Sequence, residues 1–163
     1  MKFKKNIRLK NYDYSANGYY FVTICTDCRK PYFENKNIKD IVVAELARLN
    51  ELSGVKIDYD IVMSDHIHLI IVLEDTKYSL FEVIRRFKSK TTVFVKKVVA
   101  NLARQDKLAN QGWQLQQRLW QPNYYEHVIR NEKALDKIRR YIANNPNAEK
   151  YNWDELEFVA NDA

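Results

Sequence analysis

The sequence contains little glycine, proline, cysteine or histidine. Its 163 residues include three glycines, three prolines, two cysteines and three histidines. With so few chain breakers and 46% hydrophobic residues, low-complexity disorder is excluded and a substantial core is expected. No run approaches the roughly 18 apolar residues of a membrane span, and no apolar stretch follows the basic N-terminus as in a signal peptide. We therefore expect a cytoplasmic protein with one domain over residues 1–163.

Basic residues are present in excess and are clustered. The formal net charge is +6. One basic cluster lies in residues 1–10, and a second runs from Arg85 to Lys90, followed by Lys96 and Lys97. Such clusters, interleaved with aromatic residues, suit a phosphate backbone and stacked bases, although a solvated lysine-rich surface is an equal alternative. A third cluster contains Lys137, Arg139 and Arg140. The candidate DNA-binding residues come from the first two clusters and are Lys4, Lys5, Arg8, Lys10, Arg85, Arg86, Lys88 and Lys90.

The hydrophobic pattern predicts an α+β fold. Strands are expected over 19–26, 55–63, 66–73 and around 119–129, and helices over 38–52, 79–99 and from Asn131 to Pro146. The order is that of a ferredoxin-like, RRM-like antiparallel sheet with helices on one face, plus a C-terminal helix. Around this core we expect a basic N-terminal arm over 1–17, a variable insertion over 100–117 and a C-terminal tail over 149–163.

The most informative motif is the histidine pair in Asp65-His66-Ile67-His68. On a strand, residues two apart share a face, so His66 and His68 should project together from a central, rigid strand. Two such imidazoles can bind one metal ion. The alternative is a pair of surface histidines. Asp65 should point to the opposite face and is not expected to be a ligand. The Cys25–Cys28 pair lacks a second pair, and we regard it as incidental.

Four sequence blocks, in order, resemble one family. They are Gly18-Tyr-Tyr-Phe-Val-Thr23, Met63-Ser-Asp-His-Ile-His-Leu69, Trp120-Gln121 with Tyr124-Tyr-Glu-His-Val-Ile-Arg130, and Tyr141-Ile-Ala-Asn-Asn-Pro146. Together they resemble the single-tyrosine HUH (IS200-like) transposases, and within them the REP-associated tyrosine transposase branch. The resemblance covers about residues 8–148.

The resemblance implies a transposase that cleaves and rejoins single-stranded, hairpin-containing DNA. The histidines matching His66 and His68 bind Mg²⁺ or Mn²⁺ in that family, and the tyrosine matching Tyr141 forms a 5′-phosphotyrosine bond. Related transposases use a polar residue four positions after the tyrosine as a ligand, which points to Asn145. His127 is the other candidate ligand. Family members occur as monomers and as homodimers.

Several alternatives stay open at this point. Tyr141 lies three residues after Ile138, near the apolar stripe, and can be a core tyrosine. Tyr124 and Tyr125 are assigned to packing or DNA contact. Trp113, Trp120 and Tyr125 are candidate stacking platforms or core residues. His66, His68 and His127 can also form a three-histidine zinc site that activates water. A third reading is a DNA-binding protein without catalysis.

Overall fold

The computed structural model describes residues 9–104 and 118–144. Over these residues it contains four strands and three α-helices, and none of the helices is long and apolar enough to cross a membrane. In chain order the elements are β1 (Gly18–Cys25), α1 (Lys36–Leu49), β2 (Val55–Val62), β3 (His66–Leu73), α2 (Leu80–Arg104), β4 (Tyr125–Ile129) and α3 (Glu132–Asn144).

The four strands form one antiparallel sheet in the order β2-β3-β1-β4. The histidine strand β3 is interior, between β2 and β1, as the sequence predicted. Across the ladder from β3, Thr23 pairs with His68 and Cys25 pairs with His66. The α+β, ferredoxin-like architecture is therefore confirmed.

The two faces of the sheet are covered by different helices. The face that carries Val22, Ile67 and Leu69 packs in one buried cluster with residues of α1 and α2. The opposite face, which carries Phe21 and Ile70, packs against α3. Because side chains alternate along a strand, His66 and His68 share the face of Ile70. The C-terminal helix thus lies on the same side of the sheet as the histidine pair.

Asparagines start two of the helices. Asn35 Oδ1 accepts hydrogen bonds from the amides of Asn37 and Ile38 at the start of α1. Asn131 Oδ1 accepts from the amide of Ala134 at 2.8 Å and caps α3, as predicted. The end of α1 is different from the prediction, because the helix stops at Leu49 rather than near Gly54. Gly54 instead has a positive φ of 74° and forms the turn into β2.

The long helix and the fourth strand also differ from their predicted bounds. Helix α2 continues to Arg104, so residues 100–104 of the predicted insertion are helical. The rest of that segment lies outside the described residues, as do residues 1–8 of the arm and the tail. Around Trp120 there is only an isolated bridge to Thr26, and β4 begins at Tyr125. Residues 100–104, Ala-Asn-Leu-Ala-Arg, extend α2 beyond Val99, which is its last buried residue.

Trp120 is a core residue and not an exposed platform. Its side chain is 5% exposed, and its ring packs against those of Phe33 and Phe87. Its indole N–H donates to Thr91 Oγ1 at 2.8 Å. The ring is therefore not available for base stacking, and of its two predicted roles the core one is correct. Trp113 lies outside the described residues.

Candidate active site

His66 and His68 bring two ring nitrogens together. Both side chains leave β3 on the α3 side, and their Nε2 atoms lie 3.1 Å apart. His68 is fully buried, with 0% exposure, and its ring stacks on Phe21. The predicted placement of both imidazoles on one face of a central strand is confirmed.

A hydroxyl and a carboxylate hold the other nitrogen of each ring. Asp65 Oδ1 lies 2.6 Å from His66 Nδ1, and Thr23 Oγ1 lies 2.8 Å from His68 Nδ1. A carboxylate can only accept, so His66 carries its proton on Nδ1 and presents an Nε2 lone pair. The Thr23 hydroxyl can accept from His68 in the same way. Such partners on the second nitrogen are typical of metal-binding histidines.

Sequence reasoning missed three of the residues that surround the pair. The prediction that Asp65 points away from the histidines was wrong, because Asp65 precedes β3 and its carboxylate lies beside His66. Its role in orienting His66 was therefore not foreseen, although adjacency was a usable signal. Thr23 could be found only from its register opposite His68. Arg29 gave no sequence signal: its Nε lies 2.8 Å from Asp65 Oδ2, and its NH1 donates to Cys25 Sγ at 3.0 Å. Both Cys25 and Cys28 are free thiols.

Burial keeps both imidazoles uncharged at neutral pH. Burial lowers the pKa of His68 to about 3, and the neighbouring His66 ring and Arg29 guanidinium add to this shift. Burial also lowers the pKa of His66, and the hydrogen bond to Asp65 opposes that shift. Neutral imidazole is the form that binds a metal ion, so protons do not compete for these nitrogens at neutral pH.

The spacing of the two nitrogens fits a single metal ion. Two nitrogens bound at about 2.1 Å, with an angle near 95°, are about 3.1 Å apart. Within residues 9–104 and 118–144, no group of three or more His, Cys, Asp or Glu side chains is placed to hold a metal. The two imidazoles therefore leave open positions for other donors, such as water or phosphate oxygens. Asn145, the predicted third ligand, lies outside the described residues.

The structure does not bring His127 to the histidine pair. His127 lies on β4 opposite Phe21, and the whole of β1 separates β4 from β3. The three-histidine zinc site left open by the sequence is therefore not assembled, because sheet order places the third histidine two strands away.

Tyr141 lies beside the pair. Its ring centroid is 5.6 Å from that of His68 and 6.2 Å from that of Phe21, packed edge to face in each case. The side chain is 8% exposed and belongs to the cluster beneath α3. The two sequence interpretations of Tyr141 therefore describe one location, since the residue is part of the core and also adjoins the candidate metal ligands.

The rival tyrosines occupy different places. Tyr124 is buried in the cluster on the α1 and α2 side of the sheet. Tyr125 is 37% exposed and pairs with Thr23, so it lies on the histidine face, with its ring 6.4 Å from Phe21. The buried position of Tyr124 agrees with the packing role that the sequence offered for it.

The basic residues of α2 lie on the other side of the sheet from the histidines. Arg85, Arg86 and Lys90 are exposed there, and the guanidinium of Arg86 lies over the Tyr78 ring. Lys10 is exposed, whereas Lys4, Lys5 and Arg8 lie outside the described residues. DNA contact by these residues stays a prediction.

Lys88 requires a correction. Its ammonium donates to the carbonyl oxygens of Gln121 at 2.8 Å and Asn123 at 3.1 Å. Burial lowers the pKa of Lys88 to about 8. This lysine ties α2 to the segment before β4 instead of facing solvent, because it lies close to the buried stripe of the helix.

The fold and the site define a class of protein, and the family comparison identifies it. Residues 14–145 match the family model described as "Transposase IS200 like". This match covers most of the chain, so the protein belongs to the IS200-like transposase family. The chain is also 28% identical over 179 residues to a protein of Haemophilus influenzae named only as uncharacterized, with 88% of each chain covered.

A solved structure shares the fold. The chain is similar to a REP-associated tyrosine transposase whose structure was solved bound to a REP hairpin, with a TM-score of 0.64 and 19% identity over 89% of this chain and 75% of that one. It is also similar to a putative transposase from Deinococcus radiodurans, with a TM-score of 0.49 and 18% identity over 84% of this chain and 95% of that one.

Proposed function

We propose that this protein is a metal-dependent transposase of the REP-associated branch, which cleaves and rejoins single-stranded, hairpin-containing DNA in the cytoplasm. Membership of the IS200-like transposase family supports a DNA substrate. The fold shared with a transposase solved on a REP hairpin supports a hairpin as the form of that substrate. The net charge of +6 is consistent with a polyanionic partner.

One observation carries the proposal: Tyr141 adjoins His68 where the two Nε2 atoms converge 3.1 Å apart. A phosphate bound at the open positions beside the imidazoles would lie next to the phenol ring. The Tyr141 ring is thus placed against one of the two candidate metal ligands.

The proposed cleavage step uses Tyr141 as the nucleophile. The phenol oxygen of Tyr141 attacks the scissile phosphorus, the bond from phosphorus to the 3′ oxygen breaks, and the 5′ phosphate stays on the tyrosine. The phenol loses its proton, and the departing 3′ oxygen gains one. Because a phenol with a pKa of about 10 is a weak nucleophile at neutral pH, it needs help. A bound Mg²⁺ or Mn²⁺ would polarise the phosphoryl oxygen and orient the phosphate.

The surrounding residues have supporting tasks in this proposal. His66 and His68 would hold the metal, and Asn145 would be a further ligand. Asp65 and Thr23 keep the two Nε2 lone pairs directed at the same point. The exposed residues Arg85, Arg86 and Lys90, with Lys10 and the basic arm, would contact the DNA backbone from outside the site. Tyr125, exposed on the histidine face, would offer a stacking surface to an unpaired base.

The test is covalent capture. Labelled single-stranded DNA carrying hairpins from the genomic flanks of the gene is incubated with the protein and Mn²⁺ or Mg²⁺, and an SDS-resistant adduct is sought. We expect an adduct that disappears with chelator and in Tyr141→Phe but persists in the matched control Tyr125→Phe.

Other outcomes would identify the alternatives. Metal-dependent cleavage without an adduct, retained in Tyr141→Phe, would reject the tyrosine nucleophile in favour of hydrolysis. Tight hairpin binding without cleavage of any flanking hairpin would indicate a DNA-binding protein without catalysis. An adduct lost in Tyr125→Phe and retained in Tyr141→Phe would reassign the nucleophile.

A further inference from the structure

An ion pair joins the tyrosine helix to the far strand of the sheet. Arg139 of α3 donates from Nε to Asp58 Oδ2 and from NH2 to Asp58 Oδ1 of β2, both at 2.8 Å. This paired geometry of two parallel hydrogen bonds is the strongest and most directional form of an arginine–carboxylate contact. The pair lies two residues along the helix from Tyr141.

The strand is irregular where it supplies this carboxylate. Ile57 pairs with Ile71 and Tyr59 pairs with Ile70, so Asp58 is an extra residue in the ladder between β2 and β3. Ile57 packs on the α1 and α2 side of the sheet, so alternation turns the next residue, Asp58, to the histidine face. There its carboxylate meets Arg139 of α3.

The ion pair also changes the interpretation of the third basic cluster. Lys137 and Arg140 are exposed, but the guanidinium of Arg139 is occupied by Asp58 and lies 3.6 Å from Asp136 of its own helix. Its charge is therefore used within the protein, where it joins two elements 81 residues apart in sequence.

Helix geometry connects this ion pair to the nucleophile. At 3.6 residues per turn, Arg139 and Tyr141 lie roughly 200° apart around the helix axis. They flank the apolar stripe of Ile138 and Ile142, which packs on the sheet. Apolar packing is non-directional, so it resists removal of the helix from the sheet more than rotation of the helix about its axis. A directional contact on one flank fixes the side chain on the other.

We propose that Asp58 and Arg139 are positioning residues for Tyr141, fixing the rotation of α3 so that the phenol stays beside His68 of the same chain. This inference rests on the proposed function for its kinetic consequence, but the placement of the Tyr141 ring can be measured without catalysis. Neither residue touches the substrate or the metal site in this scheme.

The kinetic test separates positioning from binding. In Asp58→Asn and Arg139→Gln we expect the single-turnover rate of adduct formation at saturating hairpin DNA to fall by about 10- to 100-fold, the loss typical of a misplacement near 1 Å. The dissociation constant for the hairpin should change by less than about 3-fold. Lys137→Gln, which removes an exposed charge from the same helix, should leave both unchanged.

Rescue distinguishes the ion pair from general helix stability. The double variant Asp58→Arg/Arg139→Asp restores opposite charges and should recover part of the lost rate, whereas Arg139→Lys keeps the charge without the paired geometry and should recover less. Equal loss in Lys137→Gln, or a rate loss matched by an equal loss of hairpin affinity, would overturn the proposal.

A second measurement is independent of activity. With ¹⁹F-labelled tyrosine, the resonance assigned to Tyr141 should shift in Asp58→Asn and Arg139→Gln, without DNA or metal, and stay in place in Lys137→Gln. An unmoved resonance in the first two variants would reject the positioning role. If the resonance shifts but wild-type protein forms no Tyr141 adduct, the ion pair positions the helix as inferred and the proposed function fails separately.

Discussion

Asp65 accepts a hydrogen bond from His66 and forms an ion pair with Arg29. Its Oδ1 atom lies 2.6 Å from His66 Nδ1, and its Oδ2 atom lies 2.8 Å from Arg29 Nε. The carboxylate therefore connects an exposed loop cation to the ring that presents its Nε2 atom to His68. This arrangement fixes the tautomer of His66, so Asp65 would orient one of the two ligands of the proposed metal site.

Removing that carboxylate should weaken metal binding. We expect Asp65→Ala to lower Mn²⁺ affinity by about 10- to 100-fold, because His66 loses the acceptor that sets its tautomer and orientation. Isothermal titration of Mn²⁺ into the DNA-free protein measures this. The control is Asp60→Asn, which changes an exposed acid on the neighbouring strand. Unaltered affinity in Asp65→Ala would contradict the orienting role.

Thr23 should contribute to stability through its hydroxyl. Thr23→Val keeps the shape of the side chain but leaves the buried His68 Nδ1 without this partner, which should cost about 1–3 kcal/mol in the free energy of unfolding. Urea denaturation of the metal-free protein gives the value. Thr23→Ser retains the hydroxyl and should lose less. A Val variant as stable as the wild type would show that the hydrogen bond is dispensable.

Lys88 and Lys90 should separate stability from DNA binding. Lys88→Met removes the donor to the carbonyls of Gln121 and Asn123, so we expect a loss of about 1–2 kcal/mol in stability. Lys90 is exposed, so Lys90→Gln should leave stability unchanged. It should reduce the slope of log hairpin affinity against log salt concentration by about one. Denaturation and binding isotherms at several salt concentrations test both. The reverse pattern would restore Lys88 as a DNA contact.

The Asp58–Arg139 ion pair should show a defined pH dependence. The hydrogen bonds from Arg139 hold the pKa of Asp58 below its ordinary value, whereas the unfolded carboxyl titrates near about 3.9. A lowered folded pKa gives stability above that value, which is lost as pH falls through the folded pKa. The stability difference between wild type and Asp58→Asn should be constant above about pH 5 and shrink below about pH 4. Urea midpoints from neutral to acid pH measure it, and a difference that grows on acidification would contradict the sign.

Tyr141 and the histidines should act within one chain. Mixing His66→Ala with Tyr141→Phe should give no adduct, because each chain then lacks a part that α3 and β3 assemble together. Adduct assays on the mixture test this, with each variant alone as the baseline. Adduct formation in the mixture would show that α3 serves the histidines of a second chain.

Much of the fold followed from local patterns. An apolar, mostly β-branched run without glycine or proline predicted β3 from His66 to Leu73, and Asn131 predicted the start of α3 through its cap. Errors occurred where tertiary contacts override local signals. Residues 119–121 have strand-like composition, but Trp120 is drawn into the core by Phe33, Phe87 and Thr91. Lys88 points inward because its ammonium contacts the carbonyls of Gln121, Pro122 and Asn123, which lie 33 to 35 residues further along the chain. A local sequence pattern does not reveal such distant partners.

The sequence by itself determined that His66 and His68 share a face, because strand alternation is a local property of the backbone. It also provided the resemblance to a transposase family, because that resemblance rests on four short motifs in a fixed order along the chain. Only the tertiary structure decided that Thr23 meets His68, that Tyr141 lies beside it, that His127 is two strands away and that Asp58 holds Arg139. These relationships depend on strand order, ladder register and helix docking, which arise from contacts between residues far apart in the chain.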